Sequence, residues 1–473
     1  MKTKIYAVFI PLILIYLSYN FYAYVVVDCW VPDEQAFFQS AISFDYGLKD
    51  FIFSENQFGY GPLYWWVLSI ANHFDNFKIL RLLSFGYLTF TLILIWLIGI
   101  KLGQSKIFKI YSCLFFLSYP SSWGFSKIIG PELLSLFLGI AGFYLSLSKK
   151  TNFIGYIFTG MSFGVKLNSI AIFIFTYIFQ LCALYNSKGN QNYIKTTLWI
   201  MAYCFVGFII STPVFIFNPK LVFLNIITYG NASFLINDLA YILFSHNYTW
   251  DGIINNGLFN STINIYLFLL IFIFSLKKMY NINILLSFTI AFFFLSLQIL
   301  SASNYLTWYW FPIIFLSPII IFSFHDDKIT RIFFGIVISL NFIFNYNLIY
   351  KKIENRIKHQ KTLDDKVSVE AFINNFKDNN SKTDFYYFTD FGITPSPSFK
   401  TWTLFNSPYK KDTKNKSKGS SKVLFLGKRF LDFDPSWKDL VNNKLSNQIF
   451  SFKLIDEHEH IKVFQLIEKL ERG

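Results

Sequence analysis

Long apolar runs separated by short polar stretches dominate the first 350 residues. They fall at residues 5–27, 79–100, 107–122, 131–148, 153–167, 168–186, 196–217, 262–276, 282–300, 309–324 and 332–350. Most approach the ~20 residues a helix needs to cross a bilayer, while 107–122, 131–148, 153–167, 262–276 and 309–324 run short. The pattern predicts a polytopic α-helical membrane protein with about eleven transmembrane helices. The first run follows Lys2 and Lys4, exceeds the length of a secretory h-region and is followed by no small-x-small cleavage site. It is expected to be an uncleaved span with a cytosolic N-terminus.

Charge placement gives these spans a direction. With alternating sides, one set of loops carries Lys2/Lys4, Lys101/Lys106/Lys109, Lys149/Lys150, Lys188/Lys195, Lys277/Lys278 and Lys328/Arg331. Every loop on that side is basic, which assigns it to the cytosol. The opposite side holds a long loop, 28–78, with seven carboxylates (Asp28, Asp33, Glu34, Asp45, Asp50, Glu55, Asp75) against Lys49 and Lys78. It also holds 218–261, rich in Asn, Tyr and Trp, and by parity the tail from Lys351.

That tail, 351–473, differs in composition from the preceding 1–350 module. It contains 23 of the 42 Lys/Arg and 16 of the 28 Asp/Glu. Residues 351–383 are polar and helix-like, Asp384–Thr389 and Val423–Gly427 have the character of short buried strands, and Lys410–Lys422 is a charged loop. A small C-terminal extracytoplasmic α/β domain is expected.

Composition agrees with a membrane protein: 54% hydrophobic, 21% aromatic and 15% charged residues, against about 25% charge in soluble chains. The net charge of +14 forms no basic stripe for nucleic acid. Cys29, Cys113, Cys182 and Cys204 lack metal-site spacing. No phosphate loop or nucleotide fingerprint occurs, which argues against an ATP-driven machine.

Ionisable groups within or at the ends of spans cost about 2.5–3.5 kcal/mol each on insertion scales. Asp33/Glu34, Arg81, Lys127, Glu132 and Lys166 all fall toward the outer side. Each has a plain structural reading. Pro32-Asp33-Glu34 suits a helix start, as does Pro131-Glu132; Lys127 could pair with Glu132 or with headgroups; Arg81 could snorkel. Lys166 lies about 13 residues, roughly 20 Å, past the cytosolic edge and precedes a polar break at Asn168-Ser169. It calls either for an anion brought into the outer half of the bilayer, such as a lipid phosphate, or for an internal salt bridge. The functional reading of the acids is a carboxylate set that deprotonates a hydroxyl or holds a divalent ion. Tyr60, Tyr64-Trp65-Trp66, Tyr248/Trp250, Tyr305 and Trp308-Tyr309-Trp310 gather on the same side. An interfacial belt accounts for most of them, with sugar stacking the alternative for one or two.

In order along the chain, several segments resemble those of the GT-C membrane glycosyltransferases, especially the protein mannosyltransferase and lipid A aminoarabinose transferase branch. Pro32-Asp33-Glu34 is similar to that family's Asp-Glu signature after its first span. Gly59–Trp66 resembles its Pro-Pro-Leu-Tyr-Tyr motif, with Gly61 in place of the first Pro. Ile79–Ser84 resembles the Arg-Leu that opens the second span. Ser126–Glu132 matches a basic residue followed by a second acid, with Lys127 where Arg is commoner. Gly160–Lys166 resembles a Gly-x3-Gly-x-Lys element, and Thr307–Pro312 an aromatic-Pro motif. The series covers residues 1–170, with weaker support to 320.

The resemblance implies transfer of a sugar, with inversion, from a polyprenyl-phosphate donor to a lipid, glycan or protein acceptor hydroxyl at the outer face. Asp33 would be the base, and Glu34 and Glu132 would shape the pocket. Lys166, Lys127 and Arg81 would face the carrier phosphate, with Tyr60, Tyr64, Trp308 and Tyr309 as sugar contacts. Carboxylates such as Asp33, Glu34 and Glu132 suit Mg²⁺ or Mn²⁺, though their spacing does not require a metal. The small outer domain and the lack of a retention signal favour a bacterial inner membrane. A lipid-linked polysaccharide polymerase or ligase is the second reading, disfavoured by the net charge of −5 in 28–78. A secondary transporter is the third, and the paired broken spans it calls for are missing from the sequence.

Overall fold

In this computed structural model the described residues are 11, 14–16, 18, 62–72, 77–119, 122, 130–186, 193–220, 271, 281–300, 311–360, 371–373, 375–376, 383–388, 403–404, 421–427, 441–442, 450–458 and 461–468. The chain divides into two units, Met1–Tyr24 with Phe44–Lys352 and Val25–Ser43 with Ile353–Gly473.

The first unit is helical. Among the described residues its longer helices are α1 (Pro62–Asn72), α2 (Phe77–Lys101), α3 (Lys106–Ser118), α4 (Pro131–Ser146), α5 (Asn152–Val165), α6 (Ile170–Asn186), α7 (Tyr193–Ser211), α8 (Ile282–Leu300), α9 (Phe311–Ile320) and α10 (Lys328–Gln360), the last belonging to this unit as far as Lys352. Each expected apolar segment from 79–100 to 196–217 and from 282–300 to 332–350 falls on one of these helices. Most of 5–27 and 262–276 lies outside the described residues. Among the described residues, Arg81–Lys101, Leu167–Asn186, Tyr193–Ser211 and Lys328–Tyr346 are long and apolar enough to cross a membrane; Pro131–Ser146 and Ile282–Leu295 are shorter apolar helices.

Local chemistry sets the helix ends. Gly103, at φ +68°, occupies the left-handed region that glycine tolerates, just past the end of α2. Ser105 then caps α3, its side chain accepting from Phe108 N. Asp327 Oδ1 accepts Thr330 N at 2.8 Å and caps α10, while Asp326 forms a two-point ion pair with Arg331 (2.6 and 2.9 Å).

Side-chain contacts fix the relative directions. Tyr87 stacks on Phe137 and Lys101 Nζ donates to Tyr144 O, so α2 and α4 run the same way. Phe143 meets Phe175 and Phe179, and Gln180 Nε2 donates to Ser146 O, so α6 runs with them. Ser135 bonds to Ser162 while Gly155 abuts Ser146, so α5 is antiparallel to α4. Phe153 meets Tyr203 and Thr212 reaches Gly164, so α7 follows α5. Phe108 meets Phe334, and Asn341 and Asn345 reach Ser118, aligning α10 with α3. Gln104 holds Phe322 O and Ser112 holds Pro318 O, so α9 opposes α3.

The bundle therefore has two ends. One gathers Lys101, Lys106, Lys149, Lys150, Lys195, Lys328 and Arg331; the other gathers Arg81, Glu132, Lys166 and Ser169.

Among the described residues of the second unit five strands form one sheet in the order β2-β1-β3-β5-β4: β1 Thr383–Phe388, β2 Thr403–Leu404, β3 Ser421–Gly427, β4 Phe450–Glu457 and β5 Ile461–Glu468. β1 pairs in parallel with β2 and β3, while β5 is antiparallel to β3 and β4. Val423, Leu424, Phe425 and Leu426 are all buried, as befits a strand covered on both faces. Val423 and Phe425 pack with Ile373, Ile461 and Val463. The two strands expected from sequence fall on β1 and β3. Charged residues such as Lys453, Asp456 and Lys462 obscured the pattern of β4 and β5.

Candidate functional site

The site is built on the α4–α5 hairpin. Gly130 is extended, Pro131 occupies the first helical turn with its fixed φ, and Glu132 follows. On the antiparallel neighbour, Lys166 ends α5 in an extended conformation (φ −149°, ψ 124°). A 3₁₀ turn, Leu167–Ser169, then leads into α6. The sequence reading of a polar break at Asn168-Ser169 matches this chain reversal.

Lys166 Nζ donates to Glu132 Oε1 in a buried ion pair, with side-chain exposures of 5% and 11%. Antiparallel packing places the positive end of the α4 dipole beside Glu132 and the negative end of the α5 dipole beside Lys166. Each such charge–dipole match is worth about 0.3–1 kcal/mol. The carboxylate also folds back over its own helix start, so that a Cβ at Gly130 would strike Glu132 Oε2. Of the two roles open to Lys166 in the sequence, the internal salt bridge is the contact present. Two residues expected to act separately, an acid and a phosphate ligand, form one pair.

Small residues let the hairpin close tightly. An added Cβ at Gly142 would meet Gly155 O at 2.7 Å, and one at Gly139 would meet Ser162 Oγ at 2.9 Å. On another side of α5, Cβ atoms at Gly160 and Gly207 would run into the backbone carbonyls of Cys204 and Ile157. The Gly160-x3-Gly164 spacing is thus a helix-packing stripe as well as a motif. Helix α5, with 14 residues, rises only about 21 Å. This is less than the ~30 Å of a hydrocarbon core, which recesses Lys166 from the nearer surface.

Arg81 is 1% exposed and among the largest fully buried side chains. It therefore does not snorkel. It shares the level of Glu132, since each lies about a turn and a half beyond the Tyr87–Phe137 stack toward the same end. Tyr64, on α1, is 2% exposed with its ring 5.0 Å from Trp65, so it is a packed residue and not part of an exposed interfacial belt.

Asp33, Glu34, Lys127, Tyr60, Trp308 and Tyr309 lie outside the described residues. Among the described residues no three His, Cys, Asp or Glu side chains gather to hold a metal. Glu132 is engaged by an ammonium, which makes it a poor direct ligand for Mg²⁺ or Mn²⁺.

Sequence reasoning missed the hydroxyls around this pair: Ser135, Ser162 and Thr212, together with the role of Ser169. A polar residue recurring one helical turn from each charge, Ser135 after Glu132 and Ser162 before Lys166, was the available signal.

Two crystal structures of ArnT from Cupriavidus metallidurans, one bound to undecaprenyl phosphate and one in the apo state, are similar to this chain over 96% of its length and 97% of theirs. The TM-scores are 0.53 and 0.52, at 10% sequence identity in both cases. No family model matches the chain, nor does any curated protein sequence. At that identity the likeness is one of fold: the chain has an ArnT-like fold, that of a polytopic helical membrane protein.

Proposed function

We propose that the protein is an inverting glycosyltransferase that moves a sugar from a polyprenyl-phosphate carrier to an acceptor hydroxyl on the extracytoplasmic side. One observation carries the reading: a buried Lys166–Glu132 pair, level with buried Arg81, at the end of the bundle opposite the basic loops. The positive-inside rule assigns the basic end to the cytosol, and the site then opens to the outside. The fold is shared with a protein whose crystal structure holds undecaprenyl phosphate, the carrier class proposed here.

In this reading Asp33 takes the proton of the acceptor hydroxyl as its oxygen bonds to the anomeric carbon. The bond from that carbon to the phosphate oxygen breaks, and the electron pair leaves with the phosphate. Lys166, Arg81 and Lys127 stabilise the departing charge through charge-assisted hydrogen bonds. Glu132 holds the Lys166 ammonium in place, and Glu34 completes the polar pocket. Tyr60, Trp308 and Tyr309 form the sugar-facing wall. The acceptor is a lipid, glycan or protein, and the membrane is a bacterial inner membrane with the N-terminus in the cytosol and the 351–473 domain outside.

The test is incubation of membranes with radiolabelled polyprenyl-phosphate sugars, comparing wild type with Asp33→Asn. Transfer is expected to disappear in the variant while expression and carrier binding persist. Full activity of Asp33→Asn would reject the assigned base.

A further inference from the structure

We infer that a collar of four hydroxyls, Ser135, Ser162, Ser169 and Thr212, positions Lys166 for an anionic phosphate, an inference that rests on the proposed function of the same site. The chain reverses between α5 and α6 inside the protein, where Lys166, Asn168 and Ser169 are all buried. A buried reversal breaks the helical ladder, and its backbone groups need other partners.

The collar supplies them. Thr212 Oγ1 donates to Gly164 O at 3.1 Å, a carbonyl that an uninterrupted helix would have given to residue 168. Ser135 Oγ donates to Ser162 O at 2.9 Å, the same carbonyl that receives Lys166 N at 3.1 Å. In return Ser162 Oγ donates to Ser135 O at 2.6 Å, tying α4 and α5 in both directions. Ser169 N donates to Lys166 O at 3.0 Å, and the Ser169 hydroxyl meets Ser135 Oγ. With Ser135 giving its one proton to Ser162 O, Ser169 is the donor in that last bond, so each hydroxyl proton has a place.

These bonds come from α4 (Ser135), α5 (Ser162), the 3₁₀ turn before α6 (Ser169) and the residue following α7 (Thr212), and they converge on the residues flanking Lys166. The collar sits one rung below the Glu132–Lys166 pair. It fixes the backbone from which the ammonium projects, while the hydroxyls themselves face one another and the backbone. They are positioning residues.

The experiment measures KM and kcat for a polyprenyl-phosphate sugar in Thr212→Val, Ser169→Ala and Thr212→Ser. Loss of one hydroxyl is expected to raise KM by about fivefold to tenfold with kcat within about twofold, the size of one buried hydrogen bond. Thr212→Ser keeps the hydroxyl and is expected to stay near wild type. Unchanged KM in both deletion variants, or failure of Thr212→Ser to rescue, overturns the inference. Binding of sugar-free polyprenyl phosphate to the purified protein separates this result from the fate of the enzymatic reading. Weaker binding by Thr212→Val than by wild type supports the collar even where no sugar is transferred. Equal binding overturns it.

Discussion

The two ends of the helical unit use lysine in opposite ways. At one end Lys101 lies over the Tyr144 ring, 3.9 Å from its centroid, and donates to that residue's carbonyl, with exposed Lys149 and Lys150 close by in sequence. These cations are exposed. At the other end Lys166 is withdrawn from solvent and paired with the Glu132 carboxylate. A surface charge costs little and contributes little, whereas a buried one must be matched on every side. In the proposed reading the contrast separates residues that mark topology from residues available for chemistry.

Single removals should expose the contrast most strongly. Glu132→Ala or Lys166→Ala removes one member of a buried ion pair, and each is expected to cost about 3–5 kcal/mol. Lys149→Ala or Lys150→Ala should stay within about 0.5 kcal/mol. Thermal unfolding in detergent measures both, and equal effects at the two ends would erase the distinction.

Packing around α5 comes next. Gly160→Leu or Gly207→Leu drives a side chain into the backbone of the facing helix. The expected cost is about 1–3 kcal/mol, with lowered abundance. Gly86→Ala, where an added Cβ meets nothing within 4 Å, is the control and should be neutral or slightly stabilising. A smaller, local effect is expected from Gly130→Ala, which displaces the Glu132 carboxylate and loosens its pair with Lys166. It should reduce transfer several-fold with a lesser fall in melting temperature than Glu132→Ala, as read in parallel activity and unfolding assays.

The weakest effect concerns pH at the basic end. Partial burial raises the pKa of Asp326, but the Arg331 guanidinium and a hydrogen bond from Ser105 outweigh it and hold the carboxyl below its ordinary value. A depressed folded pKa contributes stability above the unfolded value, lost as pH falls through the folded one. Stability should therefore decline below about pH 4, and Asp326→Asn should flatten that decline in melting curves taken from pH 6 to 3.

Much of this was legible in the sequence because membranes enforce simple rules. Apolar run length located α2 to α10, and the shared side of Arg81, Glu132 and Lys166 followed from alternating spans. The partner of Lys166 was not legible, since an internal acid and an external phosphate satisfy the same cation. The burial of Arg81 was hidden too, because a residue one turn inside a span can equally snorkel. The hydroxyl collar escaped because Ser135, Ser162 and Thr212 belong to three different segments, and only packing brings them together. In the second unit β3 was readable as a continuous apolar strand. β4 and β5 were not, their exposed faces carrying charges that break the run.

The most direct test of the central claim replaces the pair as a whole. Glu132→Gln combined with Lys166→Met removes both charges at similar volume, a change that often leaves stability intact or improves it. Melting temperature and transfer from a radiolabelled polyprenyl-phosphate sugar are measured on the same preparation. The account predicts a folded protein with melting close to wild type and no transfer. Near-normal transfer by this neutral pair would contradict it, since the charges would then serve only to hold the helices together.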